Sequence, residues 1–171
     1  NCENLNASAT TTALTVTGSA LGKTITTGSG ADIIHGGGGA DIINAGGGND
    51  SADYWGAEIS IDGGSGTNTL VVRTSATLDL SVADQTLGDL TAVSGFQNID
   101  ATSLNSTQSI SAVGSAAANT ISGGAGADVI DGGGGADVIN AGGGSDTVTI
   151  RGSETSADGG SGSDTMILRA G

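Results

Sequence analysis

The chain has 171 residues and a formal net charge of -14, with 18 acidic residues against Lys23, Arg73, Arg151 and Arg169. This acidity argues against binding to nucleic acid or to an anionic membrane surface. Glycine supplies 33 residues, proline is absent and aromatic residues are rare, so an ordinary compact core is excluded and thin layers of small aliphatic side chains, as in repeat solenoids, are favoured.

The same composition could belong to a disordered chain, because Gly, Ser, Thr and Asp dominate. Against disorder, Ile, Val and Leu recur at one fixed phase of a repeat. No apolar run of about 18 residues is present, so no membrane-spanning helix is predicted, and no signal peptide is recognisable at the start. The single Cys2 excludes an internal disulfide, and we interpret it as an apolar packing residue.

Residues 1–26 alternate small and branched side chains, as in ALTVTGSALGKTIT. This pattern predicts short strands separated by Gly and Ser turns. The pattern has a second copy, which begins further upstream, near Phe96. We therefore expect the chain to be a piece of a longer protein.

Residues 27–53 form the first regular block, with the nonapeptides TGSGADIIH, GGGGADIIN and AGGGNDSAD. The first six residues of each carry the glycines that a tight turn with positive backbone angles needs. The last three form a very short strand whose eighth residue points inward. The inward residues of this block are Ile34, Ile43 and Ala52.

The next segment departs from the regular pattern. The nonapeptide YWGAEISID, at residues 54–62, has lost the glycine turn, and residues 63–71 regain it with Asn68 in the place of the acid. Residues 74–113 form a polar connector, in which TLDLSVADQTLGDL could be a strand pair or a weak helical turn, and the β-branched residues favour strand. The predicted lining of a wider coil here is Phe96, Ile99, Leu104 and Ile110.

The second block repeats the first. Residues 123–149 read GGAGADVID, GGGGADVIN and AGGGSDTVT, and the match continues outward, for example from GSALGKTIT to GSAAANTIS. The inward residues here are Ile130, Ile139 and Val148. We predict an all-β chain with a first copy at 1–73, whose repeat block is 27–71, a connector at 74–113 and a second block at 114–171.

The sixth residue of most nonapeptides is aspartate. In a coil with two nonapeptides per turn, residues two nonapeptides apart stack at one strand spacing, roughly 4.8 Å. Asp32 then lies next to Asp50, and Asp128 is followed by Asp146 and Asp164. Carboxylates this close repel one another unless a cation lies between them. Carboxylates and turn carbonyls offer only oxygen, which suits calcium better than magnesium, whereas zinc and copper have no paired Cys or His.

At these residues the chain resembles the RTX, or haemolysin-type, calcium-binding family, whose nonapeptide is GGxGxDxUx, with U a large aliphatic residue. GGAGADVID, GGGGADVIN and GGGGADIIN match in full, while TGSGADIIH, AGGGNDSAD, AGGGSDTVT and GGSGSDTMI depart slightly. The tandem matches cover about half of the chain. The resemblance implies a right-handed parallel β-roll, or β-helix solenoid, in two duplicated RTX blocks, with calcium between turns stacked on the same side.

In that family the earlier turn of a stacked pair gives the carbonyls of its second and fourth residues and its Asp. The later turn gives the carbonyls of its first and third residues and its Asp. For the first copy the resemblance implies Gly28, Gly30 and Asp32 with Ala45, Gly47 and Asp50, and Gly46, Gly48 and Asp50 with Gly63, Ser65 and Asn68. For the second copy it implies Gly124, Gly126 and Asp128 with Ala141, Gly143 and Asp146, and Gly142, Gly144 and Asp146 with Gly159, Ser161 and Asp164.

The opposite side of each roll has one well-formed turn. The ligands implied there are Gly37, Gly39 and Asp41 in the first copy and Gly132, Gly133, Gly134, Gly135 and Asp137 in the second. Asp137 could share an ion with Asn119 or with the turn of Glu154. Asp41 could share one with the turn of Glu58.

Two substitutions weaken the first copy. Lys23 stands where the second copy has Asn119 and should disrupt the matching site, and Asn68 lowers the ligand charge. We therefore predict that the first copy binds fewer or weaker ions. In all, about four to eight calcium ions would offset most of the negative charge.

Other residues could carry chemistry but have simpler interpretations. His35 is at the variable ninth position and is interpreted as a solvent-facing turn residue. No pattern in the sequence places a nucleophile beside a base, so no catalytic site is predicted. Four aspartates are at ninth positions: Asp53, Asp62, Asp131 and Asp158. Most of them are expected to be solvated or to contact the metal ligands without contacting the ion. Tyr54 and Trp55 could stack on a sugar, but packing at the end of the first roll is favoured.

The sequence therefore predicts a calcium-binding structural module without catalytic activity. By resemblance, RTX proteins leave bacteria by type I secretion and fold outside the cell, where calcium is about millimolar. Duplicated rolls with Thr-rich connectors resemble the repeat regions of large bacterial adhesins and S-layer proteins, whose partners would be other domains of a longer chain or surface-layer neighbours.

Two alternatives remain at this point. The chain could be the accessory roll of a secreted protease, lipase or epimerase, although it contains no HExxH or GxSxG motif. It could also be an ice- or carbohydrate-binding solenoid. That function needs Thr at one phase over many turns, which TTTALTVT and TITT do not sustain.

Overall fold

The computed structural model describes residues 4–169, which form twenty β-strands and no helix. The interpretation of Cys2 falls outside the described residues. The strands are β1 (Asn4–Asn6), β2 (Thr15–Thr17), β3 (Thr24–Thr26), β4 (Ile33–His35), β5 (Ile42–Asn44), β6 (Ser51–Tyr54), β7 (Ser60–Asp62), β8 (Thr69–Val72), β9 (Ala76–Asp79), β10 (Ala92–Ser94), β11 (Asn98–Asp100), β12 (Ile110–Val113), β13 (Thr120–Ser122), β14 (Val129–Asp131), β15 (Val138–Asn140), β16 (Gly143–Gly144), β17 (Thr147–Ile150), β18 (Ser156–Asp158), β19 (Ser161–Gly162) and β20 (Thr165–Leu168). Within that stretch of chain, no helix is long and apolar enough to cross a membrane.

The chain divides into two compact units. Unit 1 comprises Asn1–Val71 and Gly88–Phe96, and unit 2 comprises Val72–Leu87 and Gln97–Gly171. Each unit contains one of the two repeat blocks. The predicted connector contributes β10 to unit 1 and β9, β11 and β12 to unit 2.

Unit 1 is a parallel β-solenoid in which successive strands alternate between two rows. One row has the order β1-β3-β5-β7-β10, and the other contains β2, β4, β6 and β8 in that order. Ile25 pairs with Ile43, and Val16 pairs with Ile34, in parallel register. One turn of the solenoid is therefore two nonapeptides long.

Unit 2 repeats this arrangement. One row has the order β9-β12-β14-β17-β20, reading from its first strand, and the other contains β11, β13, β15 and β18. Two turn segments, β16 and β19, also pair in parallel, with Gly143 opposite Ser161. Both units are all-β and built from parallel strands, as the fold prediction requires.

Each core lies between the two rows of its unit. The six predicted inward residues are all at most 1% exposed: Ile34, Ile43, Ala52, Ile130, Ile139 and Val148. The seventh residues point outward, and those more than a third exposed include Ile33, Ile42, Val129 and Val138. Phe96, Ile99, Leu104 and Ile110 are buried as predicted. Alternation along three-residue strands thus sets which face is apolar.

The segment TLDLSVADQTLGDL is only partly strand. Ala76–Asp79 forms β9, which pairs with β12, and the strand prediction is correct there. The rest of the segment consists of turns, apart from an isolated antiparallel bridge between Leu78 and Thr86.

Candidate metal sites

The glycine turns of successive coils lie directly against one another. Gly46 has a φ of 83°, and a Cβ atom there would lie 2.2 Å from the carbonyl oxygen of Gly28. Gly142 stands in the same relation to the carbonyl of Gly124, also at 2.2 Å. Only glycine allows this approach, so the repeated glycines hold a layer of carbonyl oxygens between stacked turns.

The sixth-position aspartates form buried columns beside these carbonyls. The backbone N–H of Asp32 donates to Asp50 Oδ1 at 2.7 Å, and that of Asp128 donates to Asp146 Oδ1 at 2.8 Å. Asp146 in turn donates to Asp164 Oδ1 at 3.1 Å. The predicted stacking of Asp32 on Asp50, and of Asp128, Asp146 and Asp164 in succession, is confirmed.

In five of the sixth-position aspartates the second carboxylate oxygen has no protein donor. Within residues 4–169, buried Oδ2 atoms without a hydrogen-bond partner belong to Asp32, Asp41, Asp50, Asp137 and Asp146. A buried anionic oxygen without a donor is costly. Five such atoms at one phase of a repeat therefore indicate a ligand that is not part of the polypeptide.

Burial raises the pKa of Asp50, Asp137 and Asp146 above the ordinary value for Asp. The backbone N–H donated by the preceding turn opposes this rise. The neighbouring carboxylates add to it, Asp32 at Asp50 and both Asp128 and Asp164 at Asp146. The stacked carboxylates therefore repel one another in the folded chain, and a cation between them would remove the repulsion.

The carbonyls expected from the earlier turns lie at the interface between stacked turns. Each faces the Cα atom of a glycine in the following coil, and the eight are the carbonyls of Gly28, Gly30, Gly46, Gly48, Gly124, Gly126, Gly142 and Gly144. Several also accept a backbone N–H, as Gly28 does from Gly47 at 2.8 Å. A carbonyl oxygen has two lone pairs, so this bond leaves one for a metal ion.

Some predicted ligands already have protein partners. Ala45 O accepts the hydroxyl of Thr27 at 2.8 Å, and Asp128 Oδ2 accepts the N–H of Gly124 at 2.8 Å. The amide of Asn68 donates to Gly63 O at 2.7 Å and to Gly95 O at 2.8 Å. Asn68 thus brings donor hydrogens to a place where aspartate would bring a second anionic oxygen.

On the opposite side, the two glutamates bind their own turns. Glu58 accepts N–H groups from Trp55 and Ala57, and Glu154 accepts those of Arg151 and Gly152. Burial raises the pKa of Glu58. Burial opposes the N–H groups at Glu154, but these hold its pKa below the ordinary value. The Glu154 carboxylate is still close enough to Asp137 to raise the pKa of Asp137.

Sequence reasoning did not name two carbonyls that lie against the turn of Asp137. Gly133 and Gly135 face the carbonyls of Ser115 and Ala117, at 2.4 and 2.7 Å from a Cβ on each glycine. Asn119 donates its backbone N–H to Asp137 Oδ1 at 2.9 Å. Ser115 and Ala117 are the second and fourth residues of GSAAANTIS. Their position within the nonapeptide, rather than their residue type, was the available indication.

The His35 side chain is 39% exposed, as the solvent-facing interpretation predicts, but it lies in a strand instead of a turn and pairs with an acid. His35 ends β4, and its Nδ1 lies 3.0 Å from Asp53 Oδ2, on a carboxylate that is itself buried. Asp53 is therefore not solvated. Tyr54 is buried and its hydroxyl donates to Asp89, which confirms packing for Tyr54, while Trp55 remains partly exposed.

The donor set fits calcium. Buried Oδ2 atoms and stacked carbonyls are hard oxygen ligands on flexible glycine backbone, which calcium tolerates. No group of three His, Cys, Asp or Glu side chains in the described part of the chain could hold a metal. The ligands available are thus pairs of carboxylates supplemented by backbone oxygen, as the resemblance implies.

Comparison with known proteins agrees with this geometry. A family model described as the RTX calcium-binding nonapeptide repeat, in four copies, matches residues 24–52 and 113–148. No curated protein and no solved structure matches the chain. The matched segments lie in unit 1 and unit 2, one in each, and contain the buried aspartate columns. These two segments therefore carry RTX calcium-binding nonapeptide repeats, built as a parallel β-roll.

Proposed function

We propose that the chain is a structural module that folds on binding extracellular calcium. The observation that supports this most directly is the set of five buried carboxylate oxygens without a hydrogen-bond partner in residues 4–169. They recur at the phase where the RTX repeat has its ligand aspartate. The proposed role is structural and includes no catalysis.

The proposed sites lie between turns stacked on one side of each roll. The ligands on the first side are those of the Asp32, Asp50 and Asn68 turns in unit 1 and of the Asp128, Asp146 and Asp164 turns in unit 2. On the other side, Asp41 with Gly37 and Gly39, and Asp137 with Gly132 to Gly135, would contribute. About four to eight ions would bind in all.

When bound, calcium supplies positive charge between the stacked carboxylates. The chain's own residues hold the turns and their carbonyl oxygens in place. The aspartate Oδ1 atoms tie each turn to the preceding coil through N–H bonds, as Asp50 does with Asp32. The glycines keep the carbonyls close enough to share an ion. Because an unfolded chain has no assembled site, binding energy becomes folding energy by mass action.

We further propose that the module belongs to a secreted or cell-surface bacterial protein of the adhesin or S-layer type, exported by type I secretion. A fold that needs calcium would stay open where calcium is scarce and close outside the cell, where it is about millimolar. Calcium is the proposed partner, together with other domains or surface-layer neighbours.

A calcium titration of the metal-free chain, followed by far-UV circular dichroism, tests the coupled folding. We expect a cooperative gain of β signal with calcium and little gain with magnesium at the same concentration, because magnesium requires a stricter octahedron. A chain that is fully folded in chelator, with no change on adding calcium, would contradict the proposal.

A further inference from the structure

Lys23 occupies a place that aspartate holds in the full repeats. It is the sixth residue of GSALGKTIT, and its side chain is buried. Its ammonium donates to the carbonyl of Ser19 at 2.5 Å and to the carbonyl of Leu21. The same Nζ lies 3.2 Å from Asp41 Oδ1, on a carboxylate that is fully buried. A long aliphatic side chain thus delivers one positive charge into the interior of a turn.

The partners of this ammonium follow the ligand rule of the repeat. Ser19 and Leu21 are the second and fourth residues of the earlier turn, and Asp41 is the sixth residue of the turn stacked on it. In the neighbouring column, the equivalent oxygens are Gly28 O, Gly30 O and the Asp50 carboxylate. The ammonium therefore contacts the oxygens that would otherwise be offered to a cation.

Unit 2 has the same turn without the lysine. Asn119 replaces Lys23, and its amide nitrogen donates outward to Gln97 O at 2.6 Å. Its Oδ1 accepts the N–H of Ser115 at 2.7 Å. The Asp137 Oδ2 stacked on this turn has no donor among the residues that the structure describes, as is also true of Asp41 Oδ2 in unit 1, so the two turns differ in the ammonium and not in this oxygen. Here the second and fourth carbonyls face the next turn with no charged group between them.

We propose that the Lys23 ammonium is a tethered cation that takes the place of a calcium ion between nonapeptides 18–26 and 36–44. This inference rests on the proposed calcium-dependent folding. It goes further than loss of a site, because the ammonium donates to two carbonyls that the lost ion would bind and places a positive charge beside the Asp41 carboxylate, whose Oδ2 accepts no hydrogen bond within residues 4–169. This pair of turns then closes without calcium and gives unit 1 a coil that can form first.

The geometry explains why lysine can do this. Its four-carbon stem lies within the turn, and the ammonium has three donor hydrogens for three oxygens. Burying an ammonium requires that each hydrogen be paired. Ser19 O and Leu21 O accept hydrogen bonds from the ammonium, and Asp41 Oδ1, which accepts the backbone N–H of Lys23, is its ion-pair partner at 3.2 Å.

The test is a pair of exchanges between the units, Lys23→Asn in unit 1 and Asn119→Lys in unit 2, made in the full chain. Bound calcium per chain is measured by native mass spectrometry, and the calcium midpoint of folding by circular dichroism. We expect K23N to bind about one more ion and to need more calcium to fold, and N119K to bind about one fewer and to need less. Arg169→Asn is the control, because it changes the net charge as K23N does on an exposed side chain.

The outcomes separate this inference from the proposed function. A wild-type chain that binds no calcium would refute the proposed function itself. If the wild type binds calcium but K23N, once folded, binds the same number of ions, the tethered-cation inference is overturned. A gain shared by Arg169→Asn would also overturn it, because bulk charge would be the cause. If K23N does not fold at saturating calcium, N119K is the deciding variant. An N119K protein that binds as many calcium ions as the wild type would overturn the inference.

Discussion

Unit 1 and unit 2 have the same turns but different residues at two corresponding sixth positions. In unit 1 these are Lys23 and Asn68, and in unit 2 they are Asn119 and Asp164. Lys23 and Asn68 both point nitrogen donors at turn carbonyls, the ammonium at Ser19 O and the amide at Gly63 O. Two turns of unit 1 thus use side-chain nitrogen donors of the protein at carbonyls that the proposed sites would offer to an ion.

The comparison also shows that the two units differ in charge although they share a fold. The inward eighth residues of the two regular blocks are buried to the same degree, from Ile34 to Ala52 in unit 1 and from Ile130 to Val148 in unit 2, although further along Met166 is 46% exposed where Leu70 is buried. The difference lies in charge, because unit 1 has three aspartates and a lysine at the sixth positions of its turns, whereas unit 2 has four aspartates and no lysine. Self-repulsion is thus stronger in unit 2, and calcium should matter more there.

The comparison first predicts a difference in calcium requirement between the units. Trp55 is the only tryptophan and lies in unit 1, so its fluorescence reports that unit, while circular dichroism reports both. We expect Trp55 to reach its folded signal at a calcium concentration roughly threefold or more below the midpoint by circular dichroism, because ligand charge sets affinity.

Moving the reporter provides the control. In a Trp55→Phe, Arg151→Trp double variant, the tryptophan lies at the corresponding place in unit 2. Its transition should then follow the later part of the dichroism curve. Coincident transitions in both proteins would show that the two units respond to calcium as one, against the comparison.

A second effect should be equal in the two units. Ile34→Ala and Ile130→Ala remove a fully buried side chain at matching places, and each should cost about 2–5 kcal/mol of unfolding free energy at saturating calcium. Urea denaturation measures this, with the outward Ile33→Ala and Val129→Ala as controls. If I34A and I130A lost very different amounts of unfolding free energy, part of the difference between the units would come from core packing and not from charge.

A third effect should come from single ligand carboxylates. Asp146 lies between Asp128 and Asp164, whereas Asp50 lies between Asp32 and Asn68. Asp146→Asn should raise the calcium midpoint by about tenfold, and Asp50→Asn by less, since its column already contains an amide.

Asp158→Asn is the matched control for these variants. Asp158 is exposed, and its Oδ1 accepts the N–H of Gly160 at 2.9 Å, a bond that asparagine can also make. Its calcium midpoint should match the wild type. A midpoint shift in D158N as large as that in D146N would mean that overall charge, and not the buried column, controls binding.

Much of the fold follows from the period of the sequence. Glycine at the first positions and an aliphatic residue at the eighth fix the turns, the register and the inward row, so Ile34 and Ile130 were predictable. The stacking of Asp32 on Asp50 followed from the same period. The oxygen ligands alone favour calcium. The family resemblance then identified the nonapeptide as a calcium-binding repeat.

The remainder depends on where side chains go once the turns are built. The sequence shows that Lys23 replaces an acid, but only the coordinates show that its ammonium reaches Ser19 O and Leu21 O. The pairing of His35 with Asp53 was missed because the ninth position was treated as variable, although its residues also stack between coils. Ser115 and Ala117 act through backbone carbonyls, which residue type does not reveal.

The smallest expected effect concerns the ninth-position pair of unit 2. Arg151 donates to both oxygens of Asp131, at 2.9 and 2.7 Å, where unit 1 has Trp55 and His35. Burial alone would raise the pKa of Asp131, but the guanidinium and the N–H of Gly133 hold it below the ordinary value of 3.8. The pair therefore stabilises the folded chain at pH values above the ordinary pKa, and this contribution is lost as the pH falls through the lowered pKa.

Arg151→Met should return the pKa of Asp131 toward its ordinary value and lower the thermal midpoint only slightly at neutral pH. The loss should shrink as salt is added, because the pair is partly exposed and screened. Carboxyl-carbon NMR titration measures the first effect, and thermal unfolding at two salt concentrations measures the second. Arg169→Met provides a graded control, since Arg169 lowers the same pKa more weakly and without a hydrogen bond. An Asp131 titration that is unchanged in R151M would show that the turn N–H groups, and not the guanidinium, set the charge at this position.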